Sequence, residues 1–190
     1  GKVSSNASAF YNNVMPLVYI FMQKLPYGNS VEREMYYEFK IPKASGGLRT
    51  ITAPKEDLKI VQAGIAKHLI KDCKLIFHNS VHSYTKHRNC LTALQAHQKR
   101  NAKYFLKLDI KDFFPSCTSK VVWEACDNLI NTAHLDRVFT QLRDIDEFMF
   151  YKGALPQGSP LSPILSNVVL QEFDYYFNQY CASKGMCYTR

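Results

Sequence analysis

The sequence has no apolar run long enough to cross a bilayer, which takes about 20 consecutive apolar residues. Its longest apolar stretches, such as VMPLVYIFM (residues 14–22), reach about half that length, and polar residues flank them. We therefore expect no membrane span and a protein that folds in solution. With hydrophobic residues at 46% and charged residues at 21%, ordinary globular usage argues against wholesale disorder.

The cysteines also lack a pattern. No two of the six have the CxxC spacing of zinc ribbons, and their scatter does not suggest a disulfide framework. Three histidines and Cys90 crowd into HNSVHSYTKHRNC (residues 78–90), but their spacing matches no common zinc pattern, so we assign no zinc. A reducing, cytoplasmic location fits this cysteine usage best.

Acidic residues are in deficit. The chain has 16 Asp and Glu against 24 Lys and Arg, which gives a net charge of +8. This balance favours a polyanionic partner such as nucleic acid, although basic proteins without such a partner are common. Charge alone therefore leaves the question of nucleic acid open.

Two elements are predicted early in the chain. The stretch YYEFKIPKASGGLRTIT (residues 36–52) has two extended runs around a flexible ASGG tip, which is typical of a β-hairpin. A helix is then predicted to begin after Pro54, with acids in its first turn. Its apolar residues recur at steps of three and four, at Leu58, Val61, Ile65 and Leu69.

Near the middle of the chain, KYFLKLDIKDFFPS (residues 103–116) alternates apolar and polar residues as a half-buried strand does. Asp109 falls at the end of this strand, on its wetter face. There it either caps a turn or binds a cation, and a hard divalent metal suits a carboxylate. For Asp112 we favour a role in the turn or as a helix cap.

The remaining chain is read as helices and one loop. Ser116 or Thr118 caps a helix, and a less regular, polar stretch follows to about Tyr151. In GALPQGSPLSPILSN (residues 153–167), Gln157 can hydrogen-bond to a sugar or base, and Gly158 lets a ligand approach the backbone, although a plain connecting loop has the same composition. A helix is predicted to begin at Ser162 and to bury one apolar stripe, formed by Leu165, Val169, Phe173, Tyr176 and Tyr180.

Taken in order, the segments KIPKASGGLRTITAP, VHSYTKHRN, FLKLDIKDFFPS and LPQGSPLSPILSN resemble the successive motifs of bacterial reverse transcriptases of retrons and antiphage-defence systems. The resemblance covers residues 36–190. It implies an α+β fold, the fingers and an incomplete palm of a right-hand polymerase, with an antiparallel sheet backed by helices. The implied divisions are a helical lead-in (1–35), fingers (36–83), palm (84–118), a connecting helical region (119–150) and the second part of the palm (151–190).

The resemblance also implies roles for individual residues. Asp109 matches the first catalytic aspartate, which binds two Mg2+ ions, with Mn2+ as a possible substitute, and the carbonyl of Ile110 assists. Phe114 matches the aromatic residue that leaves no space for a ribose 2′-hydroxyl. The other implied nucleotide-binding residues are Arg49 and Lys43 at the triphosphate, and Gln157 with Gly158 near the sugar.

The implied partners are an RNA template with its primer or an RNA/DNA hybrid, deoxynucleoside triphosphates, a C-terminal palm and thumb, and an effector protein. The Tyr-x-Asp-Asp motif that supplies the other catalytic aspartates is missing, since the chain ends in GMCYTR. We therefore expect these 190 residues to be inactive alone. The alternatives are an RNA-binding module without catalysis and a group II intron maturase. The region TALQAH (residues 92–97) does not match the Asn-Ala-x-x-His element of retron enzymes, which keeps a non-retron defence enzyme open.

Overall fold

The computed structural model describes residues 2–25, 35–44, 46–129 and 135–190. The predictions for residues 1, 26–34, 45 and 130–134 lie outside these described residues. The architecture combines many helices with a small antiparallel sheet. In chain order the longer elements are α1 (Lys2–Asn13), α2 (Met15–Lys24), β1 (Tyr36–Pro42), β2 (Leu48–Pro54), α3 (Glu56–Lys67), α4 (Cys90–Gln98), α5 (Phe113–Ser116), α6 (Ser119–Asp127), α7 (Asp136–Arg143), α8 (Ser162–Val169) and α9 (Gln171–Ser183).

The predicted β-hairpin is confirmed. Strands β1 and β2 pair antiparallel, with Ile41 opposite Arg49. At the tip, the Lys43 amide donates to the Gly47 carbonyl and the Gly46 amide donates to the Lys43 carbonyl, each over 3.0 Å. Gly46 and Gly47 both have positive φ, which residues without a Cβ adopt at little cost.

The helix predicted after Pro54 is also confirmed, as α3. The four apolar residues assigned to its inner face are buried, and the helix continues into a π-helical turn, His68–Asp72. Apolar residues at steps of three and four form one face of α3. The helix packs against α2 and against the 3-10 turn Asp146–Phe148. This helix is a central support of the hydrophobic core.

The stretch before Tyr151 is more ordered and more apolar than predicted. It contains α7 and the Asp146–Phe148 turn, and its buried residues include Val138, Phe139 and Leu142. Those three positions follow helical spacing, so they place one face of α7 in the core. The prediction of a polar, irregular connection is wrong here.

The predicted apolar stripe at the C-terminal end is wrong in its second half. Phe173, Tyr176 and Tyr180 are about half exposed, at 50%, 57% and 55%, whereas Asp174 and Cys181 are buried. The helix is interrupted at Leu170, where α8 ends and α9 begins. A break of this kind changes the angular phase, so the spacing that starts at Leu165 does not carry into α9.

The strand predicted over residues 104–109 is not formed in the part of the chain that the structure describes. This stretch pairs with no other described segment, and Tyr104, Leu106 and Leu108 are 93%, 83% and 77% exposed. A strand needs a neighbour to satisfy its backbone N–H and C=O groups, and the described sheet consists of β1 and β2 alone. The palm sheet therefore stays a prediction.

Among the described helices, we find none with the length and apolar character that crossing a membrane requires.

Candidate functional site

Asp109 lies on the surface, near the end of the exposed stretch that runs from residue 103 to residue 112. Within the described ranges its carboxylate forms no salt bridge, and the neighbouring Ile110 is 53% exposed. Both the carboxylate and the backbone carbonyl of Ile110 are hard oxygen ligands of the kind that Mg2+ and Mn2+ accept. The site therefore has donors of the right chemistry on an accessible segment.

A complete metal site needs more ligands than these. The described residues contain no group of three or more His, Cys, Asp or Glu side chains placed to hold a metal ion. A divalent cation bound by one carboxylate retains several waters and binds weakly. Asp109 and Ile110 therefore fit one part of a metal site, and further carboxylates are required to complete it.

A tight turn follows Asp109. Asp112 has a φ of +50°, and its carbonyl accepts hydrogen bonds from the amide and the hydroxyl of Ser116, at 3.0 and 2.9 Å. The Asp112 carboxylate makes no capping hydrogen bond to α5. Of the two roles predicted for Asp112, the structure confirms the one in the turn, through its backbone, and not that of a side-chain cap.

The turn delivers two aromatic rings. Phe113 and Phe114 are half-buried, pack against the core and lie with their ring centroids 6.0 Å apart. The next helix, α6, is capped by Thr118, whose hydroxyl accepts from the Val121 amide at 3.3 Å. The turn therefore lies between the Asp112–Ser116 hydrogen bonds and the capped start of α6.

Backbone hydrogen bonds join this turn to the start of the predicted loop. The Leu155 amide donates to the Cys117 carbonyl at 3.0 Å, and the Ser119 amide donates to the Gly153 carbonyl at 2.9 Å. Thr118 and Ala154 form an antiparallel bridge between these two bonds. Two segments that lie far apart in the sequence are therefore held side by side.

The same loop is joined to the hairpin. The Thr52 amide on β2 donates to the Gln157 carbonyl at 2.9 Å. Gly158 has a φ of +140°, and a Cβ there would lie 2.9 Å from the Thr52 carbonyl oxygen and 3.1 Å from the Ala53 Cα. The backbone that approaches Gly158 so closely is β2 of the protein itself.

The two cations of the hairpin, Lys43 and Arg49, lie near its tip. Both are exposed, and neither forms a salt bridge to any described residue. Arg49 is on β2 opposite Ile41, and Lys43 follows the last residue of β1 and begins the turn, so the two cations lie at the same end of the hairpin. The structure thus links the hairpin, the Gln157 loop and the Phe114 turn, and leaves Asp109 on the exposed segment three residues before that turn.

Sequence reasoning missed a buried polar cluster around Asp174. The Asp174 carboxylate accepts hydrogen bonds from the hydroxyl of Tyr188 at 2.7 Å and from the guanidinium of Arg190, Nε to Oδ1, at 2.9 Å. Burial, together with the hydrogen bond to Asp174, raises the pKa of Tyr188. The available signal was an acid set among the aromatic residues of α9.

Comparisons with known proteins cover most of the chain. A family model described as "Reverse transcriptase (RNA-dependent DNA polymerase)" matches residues 41–189. The Retron Mx162 reverse transcriptase of Myxococcus xanthus is 31% identical over 171 residues, which are 82% of this chain and 34% of that protein. The Retron Ec86 reverse transcriptase of Escherichia coli is 32% identical over 143 residues, 75% of this chain and 42% of that protein.

A relative of another kind also matches. The "Putative COX1/OXI3 intron 1 protein" of Saccharomyces cerevisiae is 32% identical over 152 residues, 74% of this chain and 18% of that protein. For five matching retron proteins, this chain spans between 34% and 50% of their length.

Proposed function

Because the chain belongs to the reverse transcriptase family, we propose that the protein is an RNA-directed DNA polymerase that copies an RNA template into DNA. The observation that carries this proposal is the family match over residues 41–189. Several relatives are retron reverse transcriptases, which favours a retron or related antiphage-defence system. All six cysteines are free, which supports the proposal of a cytoplasmic location.

In this proposal Asp109 is the catalytic carboxylate of the described residues, and with the Ile110 carbonyl it binds divalent metal, Mg2+ or Mn2+. Phosphoryl transfer requires mainly the positioning of reactants and the neutralisation of charge on phosphate oxygens. When bound, the metal ions supply that neutralisation and favour deprotonation of the primer 3′-hydroxyl. Exposure of Asp109 keeps its carboxylate accessible to this role.

The remaining predicted residues would bind and select the nucleotide. Arg49 and Lys43, which are both exposed at the tip end of the hairpin, would neutralise the triphosphate. Phe114 would lie beneath the sugar and exclude a 2′-hydroxyl. Gln157 would contact the sugar, and the close approach of the Gly158 backbone to Thr52 and Ala53 would hold the loop against β2.

A complete active site would need carboxylates beyond Asp109. The described residues offer no cluster that could complete it, and the retron relatives are two to three times as long as the stretch they share with this chain. We therefore propose that the other aspartates, the rest of the palm and a thumb belong to sequence outside these 190 residues. Template, primer and any effector protein are partners of that whole protein.

Two alternative functions are a maturase and an RNA-binding module. The match to the yeast intron 1 protein favours a maturase as the second candidate. An RNA-binding module that retains the fold without catalysis is the third, and it would have no need of Asp109. Sequencing the nucleic acid that copurifies with the whole protein separates retrons from the rest, since a branched RNA–DNA hybrid marks a retron.

The direct test compares two substitutions in the whole protein, Asp109→Asn and Asp112→Asn. Each replaces one exposed carboxylate by an amide of the same shape, three residues apart, and asparagine tolerates the positive φ at position 112. In a primer-extension assay on an RNA template we expect Asp109→Asn to lower kcat by about a hundredfold or more. The Asp112 variant should retain most of the activity.

Thermal unfolding provides the structural control. Asp109 is exposed and forms no salt bridge to a described residue, so Asp109→Asn should change the free energy of unfolding by less than about 0.5 kcal/mol. DNA synthesis at an unchanged rate by the Asp109 variant would contradict the assignment of this carboxylate.

A further inference from the structure

The segment that ends at Arg190 is bound to the loop at residues 80–83 through its backbone. The Arg190 amide donates to the Ser80 carbonyl at 2.8 Å, and the Arg190 carbonyl accepts from the His82 amide at 2.6 Å. These two hydrogen bonds set the register of the segment against the loop, because they place the Arg190 backbone between Ser80 and His82.

The Arg190 side chain is held on three sides. Its Nε and Nη2 donate to the two oxygens of Asp174, and its Nη1 donates to the Asn167 side-chain oxygen at 2.9 Å. The Asn167 amide group in turn donates to the Ser83 carbonyl at 3.0 Å. Helices α8 and α9, the loop and the C-terminal segment therefore meet at one guanidinium.

The ion pair between Asp174 and Arg190 is largely buried. The Asp174 side chain is 0% exposed and that of Arg190 is 19% exposed. A buried ion pair contributes little net stability relative to well-packed apolar residues, but removal of one partner leaves a buried charge that is strongly unfavourable. A gain in stability therefore does not explain the charged pair at this position. A need to hold the Arg190 segment in one fixed position does explain it.

The residue before Arg190 connects to the segment that bears Asp109. The Thr189 hydroxyl lies 2.8 Å from His97 Nε2, and the His97 ring lies 5.7 Å from the ring of Phe105. Phe105 is in the same exposed stretch as Asp109. Thr189 therefore contacts His97, which packs against the stretch that bears Asp109. Arg190 contacts the buried Asp174.

We propose that Asp174, Asn167 and Arg190 are positioning residues for catalysis. They touch no reacting group; they hold residues 188–190 against the loop at residues 80–83, and so set, through Thr189 and His97, the position of the stretch that bears Asp109. This inference rests on the proposed polymerase function, because only then does the position of the Asp109 stretch affect a reaction.

The test is a paired substitution in the whole protein. Asp174→Leu and Arg190→Met are made singly and together, which removes the charges while keeping apolar volume. We expect each single variant to lower both Tm and kcat. The double variant should regain part of the lost Tm, since the Tyr188 hydroxyl and the Asn167 oxygen still lose a partner. Its kcat in primer extension should remain reduced by about tenfold, with the KM for deoxynucleotide within about twofold of the original.

A matched control removes another Arg–Asp pair in the same way. Arg143 and Asp127 are bonded on the surface, with side-chain exposures of 34% and 62%. The double variant Arg143→Met with Asp127→Leu should keep kcat unchanged. If the Asp174 and Arg190 double variant does not regain Tm, Arg190→Lys is measured instead, since lysine keeps the charge but not the two-pronged geometry.

Two results would overturn the inference. One is full kcat in the double variant, or in Arg190→Lys, at a regained Tm. The other is unchanged hydrogen exchange at the amides of His82 and Arg190, which we expect to become faster when the register is released. Hydrogen exchange does not depend on enzyme activity. A whole protein that synthesises no DNA would refute the proposed polymerase. The exchange measurement would still show whether Asp174, Asn167 and Arg190 hold the segment in its register.

Discussion

At the scale of single residues, Phe113 and Phe114 provide a matched pair of positions for substitution. Both rings are half-buried and pack against the same core, so truncating either should lower the free energy of unfolding by a similar amount, about 2 kcal/mol. Only Phe114 is proposed to contact the sugar. We expect Phe114→Ala to reduce the preference for deoxynucleotides over ribonucleotides by about tenfold or more.

Phe113→Ala is the control for this substitution. Competition between the two kinds of nucleoside triphosphate in primer extension gives the preference directly. A Phe114 variant as selective as the original protein, or an equal loss in both variants, would remove Phe114 from the sugar site.

At the scale of elements, the contact between the Gln157 loop and β2 depends on one glycine. Gly158→Ala introduces a Cβ 2.9 Å from the Thr52 carbonyl oxygen, a backbone atom that cannot move aside easily, at a φ of +140°. We expect this change to cost about 2–4 kcal/mol of unfolding free energy and to lower activity in the whole protein.

Gly153→Ala separates the two causes of that loss. Gly153 also has positive φ, at +75°, but a Cβ there would meet nothing within 4 Å. It should cost only about 1 kcal/mol, the conformational part. Chemical denaturation of both variants measures the difference, and equal costs would mean that the close approach to β2 is unimportant.

Elements whose residues interact locally were predictable from the sequence. The hairpin has its glycine tip, and α3 has acids at its start and four apolar residues at helical spacing. The Gly158 contact was not predictable, because it depends on a strand about a hundred residues earlier in the chain. The sequence indicated an open backbone at Gly158 but not which group approaches it.

Three other predictions were wrong or incomplete, each for a physical reason. Alternation over residues 104–109 describes a strand only when a neighbour supplies hydrogen bonds, and none is present among the described residues. The aromatic stripe failed because the interruption at Leu170 changes the phase between α8 and α9. Asp174 was overlooked because its partner Arg190 is sixteen residues away, beyond any helical spacing rule.

At the scale of the whole molecule, the proposed active site is incomplete. We expect the purified 190-residue chain to show no template-dependent DNA synthesis, because the described residues offer Asp109 no cluster of further carboxylates to complete a metal site. The whole protein should be active under the same conditions, and Asp109→Asn of the whole protein provides the background rate. Incorporation by the 190-residue chain above that background would refute this prediction.

The exposed stretch that bears Asp109 also affects how the chain behaves at high concentration. Its unpaired backbone and its apolar side chains, with Leu106 at 83% exposure, form an open template for edge-to-edge aggregation. Lys103, Lys107 and Lys111 are interspersed with them and act as gatekeepers through mutual repulsion. Since salt screens that repulsion, the high salt that strips nucleic acid from a basic protein would at the same time promote self-association of this one.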